Sequence, residues 1–215
     1  MAKTNIIVGL DVGTSKIRTM VASFKEVQKK PRVIGVGEAL SNGMRKGVVI
    51  DIEEVTESIK KSVEQAELNS GIPIQHAYVS IGGNHISIRA NKGLVAVSRA
   101  DQEISEEDIS RVIDSASALS LPLNREILHV IPREFKVDDE GGIQDPLGMI
   151  GARLEVDALI IDGLTPCIKN LTKCVSSLGI KINGLVLDVL AASQSVLSKR
   201  QKELGVLVLD LGGGT

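Results

Sequence analysis

The sequence has 215 residues, a net charge of −2 and 43% hydrophobic residues, which is room for one large domain or two small ones around a real core. That charge gives no general attraction to nucleic acid or anionic lipid, and Phe24, Tyr78 and Phe135 are the only aromatics, too few for a reader of single-stranded nucleic acid that stacks bases. No apolar signal region follows Met1 and no run of about 18 apolar residues exists, so the stretch is expected to be cytosolic and not to span a membrane.

The first predicted element is an apolar run that enters Asp11 and then a turn of small, hydroxyl-bearing residues, Gly13, Thr14 and Ser15, followed by Lys16. A run bounded in this way reads as a buried strand feeding a hairpin. Backbone amides at Gly13, with Thr14, Ser15 and Lys16, suit a phosphate. Asp11 repels phosphate and needs a divalent cation between them; Mg²⁺ with its retained waters fits that role.

A second strand is expected over residues 17–24, a charged loop over 25–32 and a third strand over 32–38. Residues 41–51 read as a bent extended segment with a solvated Arg45-Lys46. Asp51 then caps a helix, Glu54 completes an acidic capping box, and Ile52, Val55, Ile59, Val63 and Ala66 recur at helical spacing. That helix stops near Gly71 and Pro73. A short strand follows over 76–81. Residues 85–98 alternate like a strand hairpin broken at Asn91-Lys92-Gly93. Ser105 caps a helix with acids in its first turn, residues 126–137 and 153–161 are strands, and 138–151 is a loop rich in Gly, Asp and Pro.

Thr165-Pro166 opens a helix that Gly179 ends. Cys167 and Cys174 lie on it, roughly 10 Å apart, too far for a disulfide, and read as reduced thiols. His76, His85 and His129 show no ligand spacing. Residues 182–187 are a strand and Asp188 opens a helix running to about 199. After a turn at 201–205, the last ten residues repeat the opening grammar: an apolar strand, Asp210, then Gly212, Gly213, Gly214 and Thr215. Three consecutive glycines weaken a strand; a phosphate that needs bare amides explains them. Asp11 and Asp210 are then the candidate metal residues, one on each jaw of a phosphate clamp.

These two turns resemble the phosphate loops of the actin, Hsp70 and sugar-kinase superfamily. Four further stretches narrow the resemblance to the FtsA family of bacterial cell-division actin homologues: GMRKGVVID at 43–51, SIGGNHI at 80–86, HVIPREF at 129–135 and DPLGMIGAR at 145–153. The resemblance implies an α/β, actin-like (ribonuclease H-like) ATPase domain interrupted by a small α+β insertion of the SHS2 type, with the C-terminal half absent. It implies residues 1–84 and 163–198 as subdomain 1A, 85–162 as the inserted subdomain 1C, and 199–215 as the start of subdomain 2A.

It also implies ATP and Mg²⁺ as cofactors and self-association into filaments, with the insertion as a contact. The remaining implied partners are the tubulin-like FtsZ ring, other divisome proteins and the cytoplasmic face of the membrane at the division site, reached through an amphipathic helix beyond Thr215. Nucleotide serves as a switch for which slow hydrolysis suffices. Asp188 takes either a catalytic position, as in the superfamily's connecting helix, or a plain N-cap role. Two other readings share the motifs: a pilus-assembly scaffold of the PilM kind, and a metabolite kinase, disfavoured because Leu187 stands where one kinase branch has Asn.

Overall fold

A computed structural model describes residues 4–25 and 30–214; part of the expected charged loop, residues 26–29, and Thr215 lie outside them. The described chain runs β1 (Thr4–Val12), β2 (Lys16–Lys25), β3 (Arg32–Leu40), β4 (Met44–Arg45), β5 (Val48–Val49), α1 (Ile52–Ser70), β6 (His76–Ile81), β7 (Ile86–Ala96), α2 (Glu106–Ser117), β8 (Arg125–Val137), β9 (Glu140–Ile143), β10 (Arg153–Leu164), α3 (Thr165–Ser176), β11 (Lys181–Leu187), α4 (Asp188–Val196) and α5 (Lys199–Leu204). It divides into two compact units, Met1–His85 with Thr165–Thr215, and Ile86–Leu164.

The first unit is built on a sheet of order β11-β6-β1-β2-β3. The two-residue period of a strand is plain in β1, where Val8, Leu10 and Val12 are buried on one face and Asp11 falls on the other. Helix α1 packs against β2 and β3, burying Val55, Ile59, Val63 and Ala66. Asp51 caps it by accepting from the Glu54 N–H at 3.0 Å. The same helix covers the outer edge of β3: Gln65 accepts from the Glu38 N–H at 2.7 Å and Asn69 donates to the Val36 carbonyl at 2.7 Å. These bonds leave β3 fewer outward backbone groups with which to pair with another chain.

Strands β1, β2 and β3 form an antiparallel meander, whereas β6 pairs parallel with both β1 and β11. The carboxyl ends of β1, β6 and β11 therefore share one edge of the sheet, the place where open α/β sheets bind ligands. This is the topology of the actin-like, ribonuclease H-like domain. Cys174 is buried and donates to the Ile52 carbonyl at 3.7 Å, and neither cysteine is in a disulfide. No helix among the described residues is long and apolar enough to cross a membrane.

The second unit is α+β: an antiparallel sheet of order β7-β10-β8-β9 with α2 packed on it. Leu154, Val156, Ala158 and Ile160 alternate along β10 and form its core with Val112, Ala116, Phe135 and Val137. Helix α2 starts with a complete capping box between Ser105 and Asp108. The Asp108 carboxylate is fully buried. It accepts from the Ser105 hydroxyl and N–H, from the Ser98 hydroxyl and from Arg111. These donors, the Ser105 hydroxyl foremost, hold the carboxyl far below the usual carboxylate range against the opposing effect of burial.

A depressed folded-state pKa contributes stability above the unfolded-state value and loses it as pH falls through the folded one. Asp108→Asn is therefore expected to lower the melting temperature at pH 7. Its difference from the wild type should narrow once pH drops below about 4, the ordinary aspartate value. Thermal melts of both proteins from pH 7 down to pH 2 check this.

Four sequence expectations are corrected. Residues 85–98 are no hairpin: β7 runs unbroken through Asn91-Lys92-Gly93, opposite Ala158, Asp157 and Val156 of β10. The turn-like residues serve α2 instead. Asn91 donates to the Ala116 carbonyl at 2.7 Å, and any Cβ on Gly93 would overlap the Val112 carbonyl. The loop at 138–151 contains β9, a four-residue edge strand paired with β8; two glycines in so short a strand mask its pattern.

The helix from Asp188 ends at Val196, and α5 occupies most of the expected turn. Ser198 restarts helix through its own capping box with Gln201. Finally, residues 206–211 form no strand. They have no pairing partner among the described residues, and Leu207, Leu209 and Leu211 stand 83%, 72% and 89% exposed.

Candidate functional site

The β1–β2 turn closes through the Gly13 N–H, which donates to the Lys16 carbonyl at 3.1 Å. At the end of β1, Asp11 Oδ1 accepts from Ser80 Oγ at 2.7 Å, and Ser80 Oγ accepts from the Val12 N–H at 3.1 Å. This chain fixes the carboxylate and links the ends of β1 and β6. The end of β11 brings in Asp188. Leu187, not Asp188, is the N-cap of α4, and no side chain caps it. The plain-cap reading of Asp188 is thus corrected: it lies one residue inside the helix, where its Oδ1 accepts from the adjacent Val189 N–H at 2.7 Å. The carboxylate presses on Gly82, where any Cβ would overlap it.

Asp11, Asp188 and Asp210 line one cavity of about 470 Å³, together with Arg18, Tyr78 and Ala192. Burial pushes the Asp188 carboxyl up; the Val189 N–H opposes this, and the neighbouring Asp210 and Asp11 carboxylates add to the rise. Three acids that repel one another around a hollow are relieved by a cation. Among the described residues no three His, Cys, Asp or Glu side chains converge closely enough to hold a metal directly. Carboxylates so placed could reach a divalent cation only through waters that the ion keeps.

The glycine turn closes on the hairpin turn. A Cβ on Gly213 would lie 2.7 Å from Ser15 Cβ, and one on Gly214 would lie 2.8 Å from Thr14 Cγ2. Bare backbone is what permits this approach. Thr14 Oγ1 accepts from the Gly47 N–H at 3.0 Å, so the 43–51 segment is tied to the same turn. Gly212 leads into this contact, and Thr215 lies outside the described residues.

Lys16 is placed differently. Its ammonium pairs with Glu38 Oε1 at 2.6 Å, while Arg18 takes Oε2 of the same carboxylate at 2.9 Å. Arg18, Ser80, Gly82 and Gly47 are site residues that sequence reasoning passes over. Arg18 carries a readable signal: counting back from the hairpin turn pairs it with Asp11.

Comparison with known proteins shows what the chain is similar to. Residues 83–162 match the family model described as the SHS2 domain inserted in FTSA. Over 211 residues the chain is 46% identical to the cell division protein FtsA of Borreliella burgdorferi, covering 98% of this chain and 51% of that protein. The Bacillus subtilis FtsA is 40% identical over 215 residues (100% and 48%), and that of Escherichia coli 36% over 210 (98% and 49%). The chain thus spans about half the length of the curated relatives it matches. Among solved structures, the PilM-PilN type IV pilus biogenesis complex superposes with a TM-score of 0.59 at 10% identity, covering 87% of this chain and 49% of that one. That likeness concerns the fold alone.

Proposed function

Since the chain belongs to the FtsA family, of whose members it matches about half the length, we propose that it is the phosphate-binding part of an actin-like cell-division protein. The carrying observation is the closure of the Gly213-Gly214 turn on Thr14 and Ser15 beside a cavity lined by Asp11, Asp188 and Asp210. In this reading ATP places its phosphates between the two turns, against the amides of Gly13–Ser15 and Gly212–Thr215. Asp11 and Asp210 would hold a Mg²⁺, which would supply positive charge against the phosphates. Asp188 orients a water near the terminal phosphate, and a slow turnover is enough for a switch.

The nucleotide governs self-association into filaments, with residues 85–162 as a contact. Linkage to the FtsZ ring, to other divisome proteins and to the cytoplasmic face of the membrane at the division site belongs to the part of the relatives' length that this chain does not span. The pilus-scaffold and kinase readings share the phosphate motifs and the fold, and no site feature favours them over this one.

The test is calorimetric titration with Mg·ATP joined to sedimentation in the presence of ATP, with and without EDTA. Saturable ATP binding and pelleting that EDTA reverses are expected. Pelleting indifferent to nucleotide, with no ATP binding, would overturn the reading.

A further inference from the structure

The lysine expected at the phosphate, Lys16, is held by Glu38. Another lysine has its backbone between the two turns. Strands β4 and β5 pair Arg45 with Val48, so Lys46 and Gly47 form a two-residue hairpin loop. Both have positive φ, 50° and 73°, the pattern of a turn in which Asn or Gly normally takes the first position. A lysine there carries a Cβ in the left-handed region and costs stability that Asn would largely avoid. Such an outlier, held by its surroundings, points from strain to function.

The surroundings do hold it. Gly47 donates to Thr14 Oγ1 at 3.0 Å. A Cβ on Gly83 would lie 2.7 Å from the Lys46 carbonyl, and one on Gly214 would lie 3.1 Å from the Lys46 nitrogen and 3.2 Å from its Cα. The backbone of Lys46 is therefore packed against the glycine turn, and its neighbour is bonded to the hairpin turn. The side chain is exposed, and among the described residues it has no ion-pair partner. A compact ammonium on a flexible four-carbon stem, rooted between two phosphate turns, is suited to meet a phosphate as a point charge.

We propose that Lys46 is the side chain that contacts the terminal phosphate in the clamp, and that the strained Lys46-Gly47 turn exists to present it there. This rests on the reading of the two turns as a triphosphate site. It gives the segment at 43–51 a role: the turn strapped to Thr14 reports the presence of a third phosphate. Lys16 stays with Glu38.

The experiment titrates Mg·ATP and Mg·ADP into the full-length protein and its Lys46→Asn, Lys46→Arg, Lys16→Ala and Gly13→Val variants, with a melting curve for each. Asn suits positive φ, so Lys46→Asn is expected to melt no lower than wild type. It should bind ATP about tenfold more weakly, the worth of one charge-assisted contact, and ADP nearly as well as wild type. Lys46→Arg recovers most of the ATP affinity, and Lys16→Ala changes it little. Wild-type ATP affinity in Lys46→Asn alongside lost binding in Gly13→Val overturns the proposal and leaves the clamp standing. An equal loss for ATP and ADP also overturns it, because that is a structural effect. Unchanged ATP binding in Gly13→Val overturns the clamp and this proposal together.

Discussion

Gly13→Val is expected to abolish ATP binding and nucleotide-dependent assembly while the protein stays folded. A Cβ at this position would lie 2.8 Å from the Lys16 carbonyl, the acceptor of the bond that closes the turn. Valine adds two more methyls, so the turn must open and its amides must leave the phosphate. The turn lies at the edge of the sheet, not in its core, and such overpacking costs roughly 1–3 kcal/mol. Asp210→Ala tests the other jaw with less risk to the fold. Its side chain is exposed, and surface substitutions usually stay within about 0.5 kcal/mol. Loss of its hold on the hydrated cation should weaken Mg·ATP binding on the order of 10–100-fold. Calorimetry, sedimentation and a melting curve on both variants check the pair. Normal ATP binding in Gly13→Val would show the clamp reading to be wrong, and normal binding in Asp210→Ala would remove Asp210 from it.

Arg125→Met carries the largest expected effect on stability. In the second unit the Asp162 carboxylate has no exposed surface, and Arg125 beside it is only 12% exposed. Arg125 Nε donates to Asp162 Oδ1, and Nη2 reaches the Asp162 carbonyl at 3.2 Å and Ser87 Oγ at 2.9 Å. Arg89, more exposed, takes Oδ2 at 3.1 Å. Removing one partner of a buried ion pair leaves a charge with poor solvation, at a cost of about 3–5 kcal/mol. Methionine keeps most of the volume, so the loss reports charge and not a cavity. Urea titration of the wild type, Arg125→Met and Arg125→Met with Asp162→Asn measures it. The second change should restore much of the loss by removing the orphaned charge. A loss under about 1 kcal/mol in the single variant would mean that Arg89 satisfies Asp162 by itself.

Several elements are legible in the sequence because their signals are local. Strand β6 carries a run bounded by Pro73 and by Gly82-Gly83. Helices α1 and α2 announce themselves through Asp51 and Ser105, whose capping bonds involve only residues three positions on. Asp11, Asp188 and Asp210 stand out as acids at the ends of apolar runs. Where the reading goes astray, a residue with a local preference is used by a distant partner. Asn91-Lys92-Gly93 has the chemistry of a turn, but its amide and its missing Cβ are spent on α2. Residues 206–211 have the composition of a strand, and a strand exists only where a neighbour bonds to it.

Periodicity, caps and turn chemistry, which act over a few residues, let the sequence by itself determine the α/β class, the insertion and the three acids. Only the tertiary structure decides that those acids line one cavity: the parallel order of β1, β6 and β11 gathers the strand ends next to Asp11 and Asp188, and the glycine turn that follows Asp210 closes on the β1–β2 turn. It also decides which lysine side chain is left, among the described residues, without an ion-pair partner beside the two glycine turns. Lys16 adjoins them in sequence but is drawn off by Glu38 across the sheet, whereas Lys46 is brought in by a hydrogen bond from its neighbour to Thr14. Such choices depend on contacts between residues far apart in the chain, which no local pattern encodes.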